Sequence, residues 1–213
     1  ADFLLIIMQR MVTSSTAAIR QGLARRLQVL KSQSTHLGNL TEEDLAELDI
    51  EDGVEDALEA ISLGMEEEIT ELGLIISAAK QAEFQHPDVK VETLTDTIDS
   101  ILNAEPDQKI IVFTEFIATQ AYLQKFLENK GYTVSILNGG MSIDERNDAL
   151  REFREKTSIF ISTDAGGEGL NLQFSNIIIN YDLPWNPMKI EQRCGRADLS
   201  VRKGMYIYII SSS

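Results

Sequence analysis

From residue 109 onward, short apolar runs alternate with helical stretches, and this alternation restricts the fold more than any other feature. Ile110 to Thr114 is a nearly continuous, β-rich apolar run, typical of a strand buried on both faces of a parallel sheet. Similar runs follow at Thr133 to Leu137, Ser158 to Ser162, Asn176 to Asn180 and Tyr206 to Ile210. The helical stretches are Ile117 to Lys130 and Ile143 to Arg154. The pattern predicts βαβ units in a doubly wound α/β domain.

The part of the chain before residue 107 has a different pattern, which predicts helices without strands. Residues 3–31 are predicted to form a long helix, and residues 41–81 an acidic helical insert that opens with the capping pair Thr41 and Asp44. An apolar stripe at helical spacing runs through the insert: Val54, Leu58, Ile61, Met65, Ile69 and Leu72. We therefore predict a helical extension over residues 1–106 and an α/β domain over residues 107–213.

The net charge of −15 comes almost entirely from the insert. Between His36 and Ala79 there are 14 acidic residues and no lysine or arginine, which leaves 20 acids and 19 bases elsewhere. The total charge therefore does not exclude a nucleic-acid partner for the rest of the chain. The insert is either a solvated acidic face that packs on a neighbour or a regulatory surface that competes with DNA.

Several classes of protein find no support in the sequence. Cys194 is the only cysteine, so an internal disulfide is impossible and a cytoplasmic protein is expected. The apolar run Phe3 to Met8 is too short to span a bilayer, so no membrane partner is expected. His36 and His86 are isolated, so no metal site is predicted. The missing initial Met and the final serines suggest an excised fragment.

Polar runs follow the predicted strands, and the carboxyl ends of such strands are where open parallel sheets bind ligands. The glycine cluster at Gly166, Gly167 and Gly169 follows the third strand, and its backbone N–H groups can bind phosphate oxygens. Further on, Arg193 and Arg196 are three residues apart, on one face of a helical turn. Their guanidinium groups suit bidentate contacts with one anionic group.

Taken in order, these runs resemble motifs of superfamily-2 helicases and translocases. Thr114 to Phe116 is similar to motif IV, Asn138 to Ser142 to motif IVa, Ser162 to Leu172 to motif V, and Glu191 to Asp198 to motif VI. Asp182 to Pro187 is similar to a segment typical of Swi/Snf-type motors. The resemblance covers Asp107 to Ile210 well and Leu4 to Leu30 loosely. It implies the second, C-terminal RecA-like lobe of a bacterial Swi/Snf-type DNA helicase or translocase.

The resemblance also implies roles for individual residues. The catalytic pair, Arg193 and Arg196, would point at the γ-phosphate of ATP as arginine fingers. The residues near the nucleotide would be Gly167, Glu168, Gly169, Asn171 and Gln192. The residues in contact with nucleic acid would be Thr114, Phe116, Gly139, Gly140, Thr163 and Trp185. Trp185 is alternatively a buried structural residue.

The ATP-binding half of such a motor is absent from this sequence. There is no G-x-x-x-x-G-K-[ST] run, and the Asp144-Glu145 pair belongs to a capping box opened by Ser142. The resemblance therefore implies that ATP and Mg²⁺ are held mainly by an N-terminal RecA-like lobe of the parent protein, and that this lobe alone is inactive. The expected partner is double-stranded DNA. The alternatives are an RNA helicase lobe, or a degenerate interaction module, since Leu199 stands where the family has a third arginine.

Overall fold

A computed structural model describes residues 9–38, 54–85, 88–164, 172, 175–184, 186–195 and 206–210. Its helices are α1 (Thr16–Gly38), α2 (Val54–Gln85), α3 (Val89–Ala104), α4 (Ile117–Asn129), α5 (Ile143–Glu155) and α6 (Met188–Cys194). Its strands are β1 (Ile110–Thr114), β2 (Val134–Leu137), β3 (Ile159–Thr163), β4 (Ile177–Asn180) and β5 (Tyr206–Ile209). Residues 9–14 are also helical. The alternation predicted from residue 109 onward is confirmed.

The five strands form one parallel sheet in the order β2-β3-β1-β4-β5. Consecutive residues of β1 point to opposite faces of the sheet, as strand geometry requires, and so belong to two separate hydrophobic clusters. Ile110 and Val112 pack with α3 and α4, whereas Ile111 and Phe113 pack with Ala149 and Phe153 of α5. The sheet therefore has helices on both faces, which confirms the predicted doubly wound α/β fold.

Strand β5 differs from the prediction that its run is buried on both faces. Tyr206, Ile207 and Ile209 are exposed. Strand β2, at the other end of the strand order, packs against α4 and α5, whereas β5 has no extensive contact with a helix among the described residues. The other four strands are almost entirely buried. An apolar composition thus marks β5 as a strand without showing whether a helix covers it.

The contacts divide the chain into two compact units. One contains residues up to Ala18 and from His86 onward, including the sheet, and the other runs from Ile19 to Gln85. Helix α3 packs on the sheet through Leu94 and Ile98. The predicted boundary between a helical extension (residues 1–106) and an α/β domain (residues 107–213) stays a prediction.

The unit from Ile19 to Gln85 pairs two long helices of the predicted extension. Arg26 of α1 donates from Nε and Nη2 to the carboxylate of Glu68 of α2, at 3.0 and 3.2 Å. Leu72, the last residue of the predicted stripe, is buried. The capping pair at Thr41 and Asp44 lies outside the described residues. No helix in the described part of the chain is long and apolar enough to cross a membrane.

Candidate nucleotide and nucleic-acid interface

The carboxyl ends of β1, β3 and β4 lie side by side at one edge of the sheet, which we call the carboxyl edge. Thr114 lies opposite Thr163, and Phe113 lies opposite both Ser162 and Asn180. Strand β2 ends beside them, because Leu137 is paired with Ser162. The loops that carry the predicted motifs therefore leave the sheet from the same edge.

The side chains of Thr114 and Thr163 are buried at this edge. The Thr114 hydroxyl donates to Oδ2 of Asp182 at 2.5 Å, so it is used within the protein. Phe116, which precedes α4 as its N-cap, is partly exposed. Of these predicted nucleic-acid contacts, Phe116 is thus the one with side-chain surface available in this conformation.

The loop from Asn138 to Ser142 presents its backbone at the carboxyl edge. Gly139 and Gly140 are exposed. Oδ1 of Asn138 accepts from the amide of Gly140 at 3.0 Å, and Arg146 donates to the carbonyls of Gly139 and Met141 at 3.2 and 3.1 Å. A Cβ at Gly140 would lie 3.3 Å from Oδ1 of Asn138, so glycine permits this tight turn. The predicted pair of glycines is held in a fixed, accessible shape.

Gln120 of α4 holds the loop from Asn138 to Ser142 in position through hydrogen bonds. Its Nε2 donates to the carbonyls of Leu137 and Ile161, both at 2.8 Å, and its Oε1 accepts from Nδ2 of Asn138 at 3.0 Å. The side chain is buried and joins the end of β2 to the middle of β3. Sequence reasoning missed it, because a glutamine inside an amphipathic helix carries no signal of burial.

Asp182, just after β4, is the centre of a buried group of polar side chains that we call the Asp182 cluster: Ser14, Lys90, Thr114 and Asp182. Oδ2 accepts from the Ser14 hydroxyl at 2.8 Å, from the Thr114 hydroxyl, and from the backbone amide of Glu115 at 3.1 Å. Oδ1 accepts from Nζ of Lys90 at 3.0 Å. The sequence marked Asp182 only as the start of a family segment, and its structural role was missed.

The ion pair of Lys90 and Asp182 is almost free of solvent, since each side chain is 6% exposed. Nζ of Lys90 also donates to the carbonyl of Thr13 at 2.9 Å and lies 4.3 Å from the centre of the Tyr181 ring. A buried charge of this kind is tolerated only when it is paired and hydrogen-bonded. Both partners meet that condition.

The N-terminal segment, residues 9–15, is fastened to the carboxyl edge by further contacts. The hydroxyls of Ser14 and Ser15 each share a hydrogen bond with Thr119 Oγ1, at 2.8 Å in both cases. Arg10 forms an ion pair with Glu115. Burial raises the pKa of the Glu115 carboxyl, Arg10 opposes this shift, and the charges of Asp182 and Asp164 add to it. Glu115 is therefore less acidic than an ordinary glutamate.

Arg193 lies inside the domain, with only 1% of its surface exposed. Nε donates to Oδ1 of Asp164 at 2.7 Å, and Nη1 donates to Oδ1 of Asn180 at 2.7 Å and to the carbonyl of Asp182 at 3.0 Å. The prediction from the sequence directs this guanidinium at a phosphate on another lobe. In the structure, three of its hydrogen bonds go to groups at or just beyond the ends of β3 and β4, and the role toward a phosphate stays a prediction.

One donor of Arg193 remains. Nη2 has no hydrogen-bond partner among the described residues, and neither has Nδ2 of the adjacent Asn180. A buried donor without a partner is costly, so an acceptor is expected nearby. A phosphate oxygen is one acceptor of suitable chemistry, and to that extent Arg193 fits a nucleotide.

The residues around Arg193 in α6 differ in exposure. Gln192 is exposed, as a residue near a nucleotide has to be. Cys194 is partly buried against the core on the α5 face, and burial raises the pKa of its thiol, which the charge of Arg193 opposes. This placement is that of a small residue packed at the edge of the core.

The remaining predicted site residues lie outside the described residues: Gly167, Glu168, Gly169, Asn171, Trp185 and Arg196. Within the described ranges, no group of three or more His, Cys, Asp or Glu side chains could hold a metal ion.

Comparison with known proteins adds a family and relatives to this geometry. The family model of the helicase conserved C-terminal domain matches residues 89–198. The chain is 41% identical over 143 residues to the uncharacterized ATP-dependent helicase YqhH of Bacillus subtilis, covering 60% of the chain and 26% of YqhH. It is 33% identical over 113 residues to RNA polymerase-associated protein RapA of Vibrio cholerae, covering 51% of the chain and 12% of RapA.

Among solved structures, S. cerevisiae Dbp5 bound to RNA and ADP BeF3 matches with a TM-score of 0.50 and 27% identity. The match covers 58% of this chain and 32% of that chain. In all these comparisons the chain matches only part of the relative, about a quarter of the length of YqhH and a smaller share of RapA.

Proposed function

Because the chain belongs to the helicase conserved C-terminal domain family, we propose that it works as the second RecA-like lobe of an ATP-driven nucleic-acid motor of Swi/Snf type. The family membership confirms the resemblance to C-terminal lobes of superfamily-2 helicases. In the proposed motor, ATP and Mg²⁺ lie between this lobe and an N-terminal RecA-like lobe of the parent protein. Hydrolysis opens and closes the cleft between the two lobes while each contacts the backbone of the nucleic acid.

The observation that carries the proposal is the attachment of α6 to the carboxyl edge. Arg193 binds the ends of β3 and β4 through Asp164 and Asn180, which fixes the helix on which Gln192 is exposed. Arg196 follows three residues later. A fixed helix at this edge is the kind of support that a positioned guanidinium needs, because phosphoryl transfer depends on positioning and charge stabilisation.

The two arginines then have different tasks in the proposed site. We assign the arginine-finger role chiefly to Arg196, and we retain for Arg193 a contact through Nη2, the donor without a partner in the described part of the chain. Gln192 and the segment of Gly167, Glu168, Gly169 and Asn171 would lie near the nucleotide. The lysine that binds the β- and γ-phosphates in such motors would come from the other lobe, since this sequence has no P-loop.

Nucleic acid would contact the loops at the carboxyl edge. The exposed backbone of Gly139 and Gly140, the partly exposed Phe116, and Trp185 are the proposed contacts. Thr114 and Thr163 are buried, so their contribution would come from shaping the edge or from their backbone. Binding to phosphates is mainly electrostatic and independent of sequence, so it should weaken as the salt concentration rises.

The choice between DNA and RNA is part of the proposal. The segment from Asp182 to Pro187 favours a duplex-DNA translocase of Swi/Snf type. The similarity to Dbp5, solved with RNA, favours an RNA helicase as the second candidate. Stimulation of ATP hydrolysis by duplex DNA, compared with RNA at the same nucleotide concentration, separates the two.

The test uses the two-lobe parent protein, with Arg196→Ala compared with wild type. We expect the variant to retain nucleic-acid binding and to lose stimulated ATP hydrolysis by up to about 10³-fold, the lower end of the effect of an arginine finger. Arg151→Ala is the matched control, because Arg151 is an exposed arginine whose side chain pairs with Asp148 on α5. The 213-residue chain alone should not hydrolyse ATP.

Two results would contradict the proposal. Equal turnover by wild type and Arg196→Ala, or no response to either nucleic acid, would favour a degenerate interaction module, a reading to which Leu199 already gives weight. Robust hydrolysis by the purified 213-residue chain would overturn the assignment of ATP binding to a missing lobe.

A further inference from the structure

Asp182 contacts the N-terminal segment through its side chain and Arg193 through its backbone. We propose that Asp182 is a positioning residue that links the N-terminal segment to Arg193, so that a displacement of residues 13–14 changes the placement of the guanidinium. The inference rests on the proposed function, in which the N-terminal lobe precedes this segment in the chain. Its structural part concerns only residues of one compact unit.

The side-chain half of the link holds two consecutive residues of the N-terminal segment. Ser14 donates to Oδ2 of Asp182, while Lys90, paired with Oδ1, also donates to the carbonyl of Thr13. Both contacts are buried, and Ser14 is 1% exposed. A shift of this segment would therefore change the contacts of both oxygens of the Asp182 carboxylate.

The backbone half of the link is short. The carbonyl of Asp182 accepts from Nη1 of Arg193 at 3.0 Å. Strand β4 ends at Asn180, so Asp182 lies beyond the regular ladder, and its amide is 3.5 Å from the carbonyl of Phe113. Because the sheet restrains the Asp182 backbone only weakly, the carboxylate contacts decide where its carbonyl lies.

The same cluster also restrains the start of the motif IV loop. Oδ2 of Asp182 accepts from the Thr114 hydroxyl and from the Glu115 amide. A buried polar network of this kind is stable when every member is satisfied and costly when one is lost. The loss of one contact to the Asp182 carboxylate is therefore expected to affect its other contacts.

Two neighbouring serines provide a matched test. Ser14 and Ser15 are both 1% exposed and both share a hydrogen bond with Thr119. Only Ser14 contacts Asp182, whereas Ser15 instead accepts from the amide of Ala18 at 3.1 Å. Ser14→Ala and Ser15→Ala thus remove equally buried hydroxyls and differ in the contact that the proposal needs.

The first measurement is made on the 213-residue chain by NMR. Nε–H of Arg193, which donates to Asp164, gives a resonance whose exchange with solvent reports on the guanidinium. We expect Ser14→Ala to accelerate this exchange roughly 2- to 12-fold, the equilibrium change that follows from losing one hydrogen bond. Ser15→Ala should leave the rate within about twofold of wild type. Equal rates in the two variants, whether raised or unchanged, would overturn the link.

The second measurement is ATP hydrolysis by the two-lobe parent protein. Ser14→Ala is expected to lower kcat with little change in KM for ATP, since the placement of a catalytic group would change and ground-state binding would not. Ser14→Thr, which keeps the hydroxyl, should restore turnover, and Ser15→Ala should resemble wild type. Loss of kcat by both alanine variants to the same degree would point to a general structural effect and against the link.

The two measurements separate the two proposals. If the wild-type parent does not hydrolyse ATP, the proposed function fails, while the NMR comparison still decides whether Ser14 and Arg193 are linked. If the parent is active and the two serine variants behave alike in the NMR experiment, the link fails and the proposed function stands.

Discussion

Thr114 and Thr163 lie opposite each other at the ends of two adjacent parallel strands, and both side chains are buried. Their position at the carboxyl edge agrees with the motifs to which they belong. Their orientation does not suit a direct side-chain contact with a phosphate backbone in this conformation. Phe116, two residues beyond Thr114, is partly exposed, and in the proposed function it is the side chain of the motif IV loop that contacts nucleic acid.

Replacing Gln120 with alanine should loosen the carboxyl edge. The variant loses the donors to the carbonyls of Leu137, the last residue of β2, and of Ile161, in the middle of β3. We expect the free energy of unfolding to fall by about 1–3 kcal/mol in urea denaturation, the cost of leaving buried polar groups unsatisfied. Gln124→Ala, one turn along the same helix and partly exposed, loses only a hydrogen bond to Glu128 and should change stability by less than about 0.5 kcal/mol. Equal effects would contradict this role of Gln120.

Arg193→Ala should destabilise the domain before any question of catalysis arises. It leaves Asp164 and Asn180 without their buried donor at the ends of β3 and β4. Removing one partner of a buried, hydrogen-bonded ion pair typically costs about 3–5 kcal/mol. Arg193→Lys should recover only part of this, because an ammonium cannot reproduce the planar fork of donors.

The measurement for Arg193 is the urea midpoint, with Arg151→Ala as the control. Arg151 pairs with Asp148 at 2.6 Å, but both side chains are 67% exposed, so we expect a change below about 1 kcal/mol. A stable Arg193→Ala variant would show that the guanidinium is free to leave its contacts, which would favour the arginine-finger role for this residue as well.

Glu115→Gln should change how the stability of the domain depends on pH. The folded protein raises the pKa of Glu115 above its ordinary value of 4.5, chiefly through burial. A carboxyl with a raised folded pKa stabilises the fold fully below its unfolded pKa and loses that contribution as the pH rises through its folded pKa. We therefore expect the glutamine variant to be at least as stable as wild type at pH 7.

Urea denaturation at a series of pH values tests this sign. The advantage of Glu115→Gln should shrink as the pH falls toward 4.5 and below, since the wild-type carboxyl then becomes neutral. An advantage that instead grows on acidification would mean that the ion pair with Arg10 outweighs the burial of the carboxylate.

Phe153→Ala should remove a large part of the core on the α5 face of the sheet. The ring is fully buried and stacks on Phe160, with centroids 4.7 Å apart. Loss of a buried phenylalanine typically costs about 3–5 kcal/mol. Ile143→Ala on the same helix is the control, because Ile143 is 78% exposed and its loss should cost less than about 0.5 kcal/mol. Thermal or urea unfolding of the two variants measures the difference.

The sequence predicted what depends on short-range pattern. The run from Ile110 to Thr114 and the capping box at Ser142 appear where they were predicted, because strand periodicity and helix capping involve residues a few positions apart. The exposure of β5 was not predicted, since the contacts between a strand and the flanking helices depend on the tertiary structure. The predicted roles of the residues outside the described part of the chain stay predictions.

The contacts that organise the candidate site could not be predicted in this way. Ser14 and Asp182 are 168 residues apart, and Lys90 and Asp182 are 92 apart. Nothing in the local sequence of a serine, a lysine or an aspartate shows that they share one buried cluster. The burial of Arg193 is of the same kind, because it follows from where the ends of β3 and β4 lie.

The strand order also governs when this domain can form during synthesis. Strand β1 occupies the centre of the sheet, and Ile110 lies opposite Ile159 on one side and Ile177 on the other. The first strand to be made therefore waits for neighbours translated about 50 and 70 residues later. Until the chain reaches Thr163, β1 has no complete partner strand along either edge, and its second edge stays unpaired until Asn180 has been made.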